Sequence, residues 1–201
     1  MTFQEILKNI TDYNELKEKL AFVSIFIAIY ENMADFVEYN VKSLLCHESI
    51  VDGEYVIHET PIYKEKIRKR SVDDKGNKNI TKASFLYLKD IAIIDQSDYE
   101  LFEAIKEVRN RFTHELADII LGEVTEEEFD LFIKLILLRQ KISRNWFINV
   151  EAPIAGIKIT NDIDEDGICS VQDYLFAIAI DVLYCKNEEK YKEILREYNI
   201  I

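Results

Sequence analysis

The residues in this chain best suited to chemistry lie in one short run, Val108-Arg109-Asn110-Arg111-Phe112-Thr113-His114. Asn110 and His114 are four residues apart, so on a helix they share a face, with the amide one turn below the imidazole. From there the amide can orient the ring or fix its tautomer. Arg109 stands between that face and the core side, and its long side chain can swing to the same spot. An imidazole acid or base, an orienting amide and a guanidinium that grips phosphate in a bidentate fork are the parts needed to cleave a phosphodiester without a metal. No cofactor is implied. With 3 His among 201 residues, an Arg-Asn-x-x-x-His run arises by chance in roughly 0.6% of chains of this make-up, which favours function over accident.

The helix that positions these residues is expected to open at Ser97, with Glu100 completing a capping box, and to run to about Leu121, where Gly122 can end it. Its core stripe is Leu101, Ile105, Val108, Phe112, Leu116 and Ile119, so Asn110 and His114 project from the opposite side. A longer helix precedes it. From Tyr13 to Cys46 the apolar residues step by fours and threes through Leu16, Leu20, Val23, Ile27, Tyr30, Ala34, Val37, Val41 and Leu44, with Asp12 and Glu15 as its opening box. A helix of that length would reach roughly 50 Å, so a bend or break is expected.

Other helices are predicted over Phe3 to Ile10, Thr81 to Ile94, Glu126 to about Asn149 (opened by Thr125 and Glu128), Ser170 to Cys185 and Glu188 to Tyr198. The 126–149 helix carries apolar residues on two faces, Phe129, Ile133, Ile136 and Leu137 on one and Leu131, Leu135, Leu138 and Ile142 on the other, which marks a central helix. Trp146 lies at core spacing. Residues 149–160, with Pro153 and Gly156, read as an irregular connection with a short extended piece at Ile157 to Ile159. Asp52-Gly53 between Ser49-Ile50-Val51 and Tyr55-Val56-Ile57 is a hairpin signal, and Lys64 to Lys82 reads as a loop.

Composition sets the class. Only 5 Gly and 2 Pro punctuate the chain, too few for a sandwich or barrel of short strands, so the fold is expected to be all-α: an antiparallel helical bundle, one domain over residues 1–201, with a small hairpin and basic insertion at about 49–80. Hydrophobic residues at 48% and charged residues at 31% exclude disorder as the main state. A net charge of -13 argues against a generic DNA-coating protein. Cys46, Cys169 and Cys185 include no CxxC pair, so neither a disulfide framework nor a zinc ribbon is indicated; Cys46, His47 and His58 are too scattered to argue for zinc. The opening MTFQEILKNITD lacks a secretion signal, and the longest uncharged run, Leu20 to Tyr30, is eleven residues against the roughly 20 that a membrane span needs. The expectation is a cytoplasmic protein without a membrane partner.

The run RNRFTH resembles the R-N-x-x-x-H form of the signature of the HEPN superfamily. The resemblance covers the motif helix and the plan of a bundle with a long first helix; residues 64–82 and 149–173 are not accounted for by it. It implies a metal-independent endoribonuclease of the kind found in toxin-antitoxin, abortive-infection and CRISPR systems, with Arg109, Asn110 and His114 catalytic. It also implies a homodimer in which two motif helices meet, giving a composite site where a ribose 2'-OH attacks the adjacent phosphate to leave a 2',3'-cyclic phosphate. An antitoxin or other regulatory protein would be a partner. In HEPN toxins silenced by a nucleotidyltransferase, a Tyr follows the motif His by two positions; that place is Leu116 here, so this route has no acceptor. The alternative is a catalytically silent module that binds nucleic acid or a protein.

Residues 64–82 hold eight basic and three acidic side chains, a local charge of +5 that leaves -18 on the rest of the chain. Lys66, Arg68, Lys69 and Arg70 are the expected RNA-binding set, with Tyr63 and Phe85 available for stacking, against the alternative of a solvated segment paired with the acidic body. Asp162, Asp164, Asp166, Ser170 and Asp173, with Gly167 at the sixth position, resemble an EF-hand calcium loop. The twelfth residue is Asp where that loop has a bidentate Glu, and no evident helix precedes it. The favoured reading is an acidic turn in which Ser170 and Asp173 cap the next helix, with no metal bound. Calorimetry with calcium should then show no site tighter than about 100 μM.

Overall fold

A computed structural model describes residues 11–73, 75–159, 167–184, 189, 190 and 192. The helix expected over Phe3 to Ile10 and nearly all of the one over Glu188 to Tyr198 lie outside the described residues. The chain forms two compact units, residues 1–138 and 139–201. It is mostly helical with one small hairpin, as composition predicts.

In the first unit, α1 (Tyr13–Leu45) is an unbroken helix of 33 residues. Asp12 caps it by accepting from the amides of Asn14 and Glu15 at 3.0 and 3.1 Å. By length and composition alone α1 could cross a membrane. Within the fold its apolar stripe is core: Phe26, Ile29, Met33, Val37 and Val41 are all buried. α1 does not break, and other helices pack along it.

The hairpin pairs β1 (Cys46–Val51) with β2 (Glu54–Glu59) through the Asp52-Gly53 turn, with φ of 53° and 83°. Positive φ at both central residues is the primed turn that matches strand twist and suits Asp-Gly. The loop expected from Lys64 is instead helical as far as Ser71. The segment α2, residues 61–71, comprises Pro61–Tyr63, a wide turn at Lys64–Arg68 and Lys69–Ser71. Thr60 caps it, Pro61 fits its first turn, and Tyr63 and Ile67, four apart, are buried.

α3 (Ile80–Asp90), capped by Asn79, and α4 (Gln96–His114) pack against α1. The capping box of α4 is made by Asp95 and Asp98, in place of Ser97 and Glu100: Asp95 accepts from the Asp98 amide, and Asp98 accepts from the Asp95 amide. The α4 stripe is Phe102, Ile105 and Phe112, all fully buried. Phe112 meets Phe26 edge-on at 5.0 Å between ring centroids, and Phe85 stacks on Phe102 at 3.7 Å.

The single helix expected to reach Leu121 breaks at Glu115 (φ -119°, ψ 29°), and α5 (Leu116–Leu121) follows it. Ile119 is buried there while Leu116 is 39% exposed, so Leu116 leaves the predicted stripe. Lys19 of α1, itself buried, donates to the Gly122 carbonyl at 2.6 Å and satisfies the end of α5.

The next helix, α6 (Glu126–Trp146), begins in the first unit and continues into the second. Phe132, Leu135 and Leu138 are buried, but Phe129, Ile133 and Leu137 are 49%, 42% and 58% exposed, so the second apolar face is not core as expected. Helical structure runs past the predicted end at Asn149, through a wide turn at Phe147–Glu151 to Ala152–Ile154. The wide turn pairs the Ala152 amide with the Phe147 carbonyl and so accommodates Pro153, which has no N–H to donate. Ile157 to Ile159 is not extended strand but irregular chain. The last described helix of the second unit is α7 (Val171–Tyr184). Trp146 is buried in this unit, as its spacing predicts.

Candidate active site

Arg109 is held by α1. Its Nε and Nη2 both donate to one oxygen of Glu31, the former at 2.6 Å, and its Nη1 donates to Asn110 Oδ1 at 3.2 Å. The guanidinium also lies over the Tyr30 ring, 5.5 Å from its centroid. Burial pushes the Tyr30 phenol up to about 12; Arg109 opposes the shift, and Glu31, Glu103 and Glu38 add to it. The ring is therefore a neutral platform at any ordinary pH.

A guanidinium carries five N–H groups. Glu31 and Asn110 take three of them, leaving one on Nη1 and one on Nη2. Those two remain to donate to a phosphate.

Asn110 thus meets the arginine through its Oδ1 and makes no hydrogen bond to the imidazole among the described residues. His114 is the exposed last residue of α4 and makes no hydrogen bond among the described residues. It lines an open recess of about 430 Å³ with Glu107, Val108, Asn110, Arg111 and Glu115. The helix brings Asn110 and His114 to this recess, and Asn110 links it to Arg109. Arg111 is engaged elsewhere, paired with the buried Glu128. Glu128 also accepts from the Thr125 amide and hydroxyl at 2.8 and 3.0 Å, so this pair ties α4 to the start of α6.

Sequence reasoning missed Glu31 and Tyr30. A signal for the first existed: Glu31 is the single charged residue between Leu20 and Ala34, and a carboxylate within an apolar helical stretch needs a partner.

The four residues expected to bind RNA each have a carboxylate neighbour. Arg68 donates to Glu59 through Nε at 2.7 Å and also through Nη2; Arg70 Nη1 donates to Asp90 at 2.6 Å; Lys66 lies 3.8 Å from Asp90; Lys69 lies 3.2 Å from Glu65. The Arg68 hydrogen bond holds the Glu59 carboxyl below its usual range. Lys75, Lys78 and Lys82 are exposed and form no ion pair among the described residues.

Of the acidic loop, Asp162, Asp164 and Asp166 lie outside the described residues. Its last ligand position, Asp173, is buried and committed within the second unit: Oδ1 is 2.8 Å from Arg139 Nη1, and Oδ2 accepts from the Ser170 amide and hydroxyl at 3.0 and 2.6 Å. The Asp173 amide donates back to Ser170 Oγ at 3.1 Å, which makes the expected capping box for α7.

No protein-family profile, curated protein or solved structure matches the chain.

Proposed function

We propose that this protein is a metal-independent endoribonuclease of the HEPN type, acting in antiviral defence or growth arrest. The observation that carries the reading is the Arg109 guanidinium, held by Glu31 and Asn110 with two N–H groups left for a phosphate. His114, in the adjoining recess, supplies proton transfer to or from the ribose 2'-OH and the leaving 5' oxygen. The products would carry 2',3'-cyclic phosphates.

A single recess is open to solvent, which weakens every electrostatic interaction in it. Two motif faces meeting across a homodimer would enclose it and bring two imidazoles together. Each would then disfavour the other's protonation, separating an acid from a base. A cytoplasmic setting and a regulatory protein partner belong to this proposal.

The test is incubation with RNA in EDTA, with light scattering at micromolar concentration. Cleavage by a dimer, with cyclic-phosphate ends, is expected; cleavage by a chain that remains monomeric would refute the composite site.

The paired and unpaired cations should differ in their contribution to RNA affinity. Arg68→Ser, Lys69→Ser and Arg70→Ser together remove charges already balanced by Glu59, Glu65 and Asp90, whereas Lys75→Ser, Lys78→Ser and Lys82→Ser remove ones with no ion pair among the described residues. Each phosphate contact on a single strand contributes about 0.7 to the salt slope, so the lysine triple should flatten log Kd against log salt by about 2. The arginine-containing triple should flatten it by less. Filter binding across a salt series measures both.

A further inference from the structure

The hairpin brings together two residues that are eleven apart in sequence. Its register sets His47 directly opposite His58. Cross-strand partners project to the same face with Cβ atoms about 4.5–5.5 Å apart, close enough for two rings to share one ligand. Both residues are exposed. The Asp52-Gly53 turn pins this register, and a slip of one residue would send the rings to opposite faces.

Ser49, two residues along the same face, has its Oγ 2.7 Å from His58 Nε2. When Nε2–H donates to that hydroxyl, the free lone pair of His58 is on Nδ1. An imidazole steadied through its other ring nitrogen is the usual condition of a metal-ligating histidine.

We propose that His47 and His58 form a two-imidazole site for a borderline divalent first-row cation of the nickel-to-zinc group, with Ser49 as its positioning residue. Imidazole nitrogen suits these ions, whereas calcium and magnesium want a cage of oxygens. No group of three or more His, Cys, Asp or Glu is assembled for a metal among the described residues, so water completes the coordination sphere. The site shares no residue with the Arg109 cluster and does not depend on the proposed ribonuclease activity.

The chain has 3 His, so proton NMR of the imidazole Hε1 signals reads each one separately, with assignments from His47→Gln, His58→Gln and His114→Gln. The probe is NiCl2, whose paramagnetic ion broadens the signals of its ligands. Joining two ligands on one scaffold raises affinity by at least about a hundredfold over one. The His47 and His58 signals should therefore broaden together at about a hundredth of the nickel concentration that broadens His114. His47→Gln should bring His58 to the concentration needed for His114, and Ser49→Ala should weaken the pair about tenfold. Equal broadening of all three signals, or a His58 response unchanged by His47→Gln, would overturn the site.

Discussion

His114→Ala is expected to reduce RNA cleavage by about two orders of magnitude or more, the usual contribution of a positioned acid or base. Arg109→Ala should cost a similar factor through lost stabilisation of the phosphate charge. Neither change should unfold the chain, because His114 is exposed and the Arg109–Glu31 pair is partly open to solvent. Thermal melts run beside the cleavage assay would verify this. Glu31→Gln separates contact from positioning. It keeps an acceptor oxygen but weakens the clamp, so kcat should fall about tenfold while KM changes little, since an arginine displaced by an ångström loses its transition-state geometry first. A correctly folded His114→Ala variant that cleaves as fast as the unmodified chain would eliminate the proposed mechanism.

The largest stability effect should come from Asp173→Ala. Arg139 and Asp173 side chains are each only 2% exposed, and removing the carboxylate takes a charged partner from a guanidinium held in the core. Breaking such a pair costs about 3–5 kcal/mol. Loss of the capping box adds roughly 1 kcal/mol. Burial pulls the Arg139 guanidinium below its ordinary pKa, with Asp173 acting against that shift. Urea denaturation should show the loss. Arg139→Met combined with Asp173→Leu should recover much of it, because apolar replacements need no partner, leaving mainly the missing cap. If the single variant and the double variant denature at the same urea concentration, the pair does not carry the stability assigned to it.

Much of the fold was legible because it depends on local rules. The steps of α1, the Asp52-Gly53 turn and the Ser170–Asp173 box are each set by a few neighbouring residues. What sequence missed depends on distant partners. Lys64 to Ser71 looked like a loop because its charges dominate, although Thr60-Pro61 and the Tyr63 to Ile67 spacing were helix signals. Helical spacing pairs Asn110 with His114, whereas the guanidinium next to it in sequence holds its oxygen. That arrangement depends on Glu31, 78 residues away, whose lone charge in an apolar stretch signals a partner without naming it. Phe129, Ile133 and Leu137 read as core because periodicity reports that a face is apolar and not that anything covers it.

The uninterrupted course of α1 limits how this chain can change in length. One helix carries Lys19 to the end of α5, Glu31 to the arginine and Leu45 to the hairpin. Inserting or deleting a single residue between Lys19 and Glu31 would rotate one against the other by about 100° and shift them by about 1.5 Å. Either the lysine or the glutamate would then face away from its partner. Substitutions can accumulate along the solvent side of α1 one at a time, but insertions and deletions between these anchors cannot. Length variation among descendants of this chain should therefore collect outside residues 19–45, and most readily between α2 and α3.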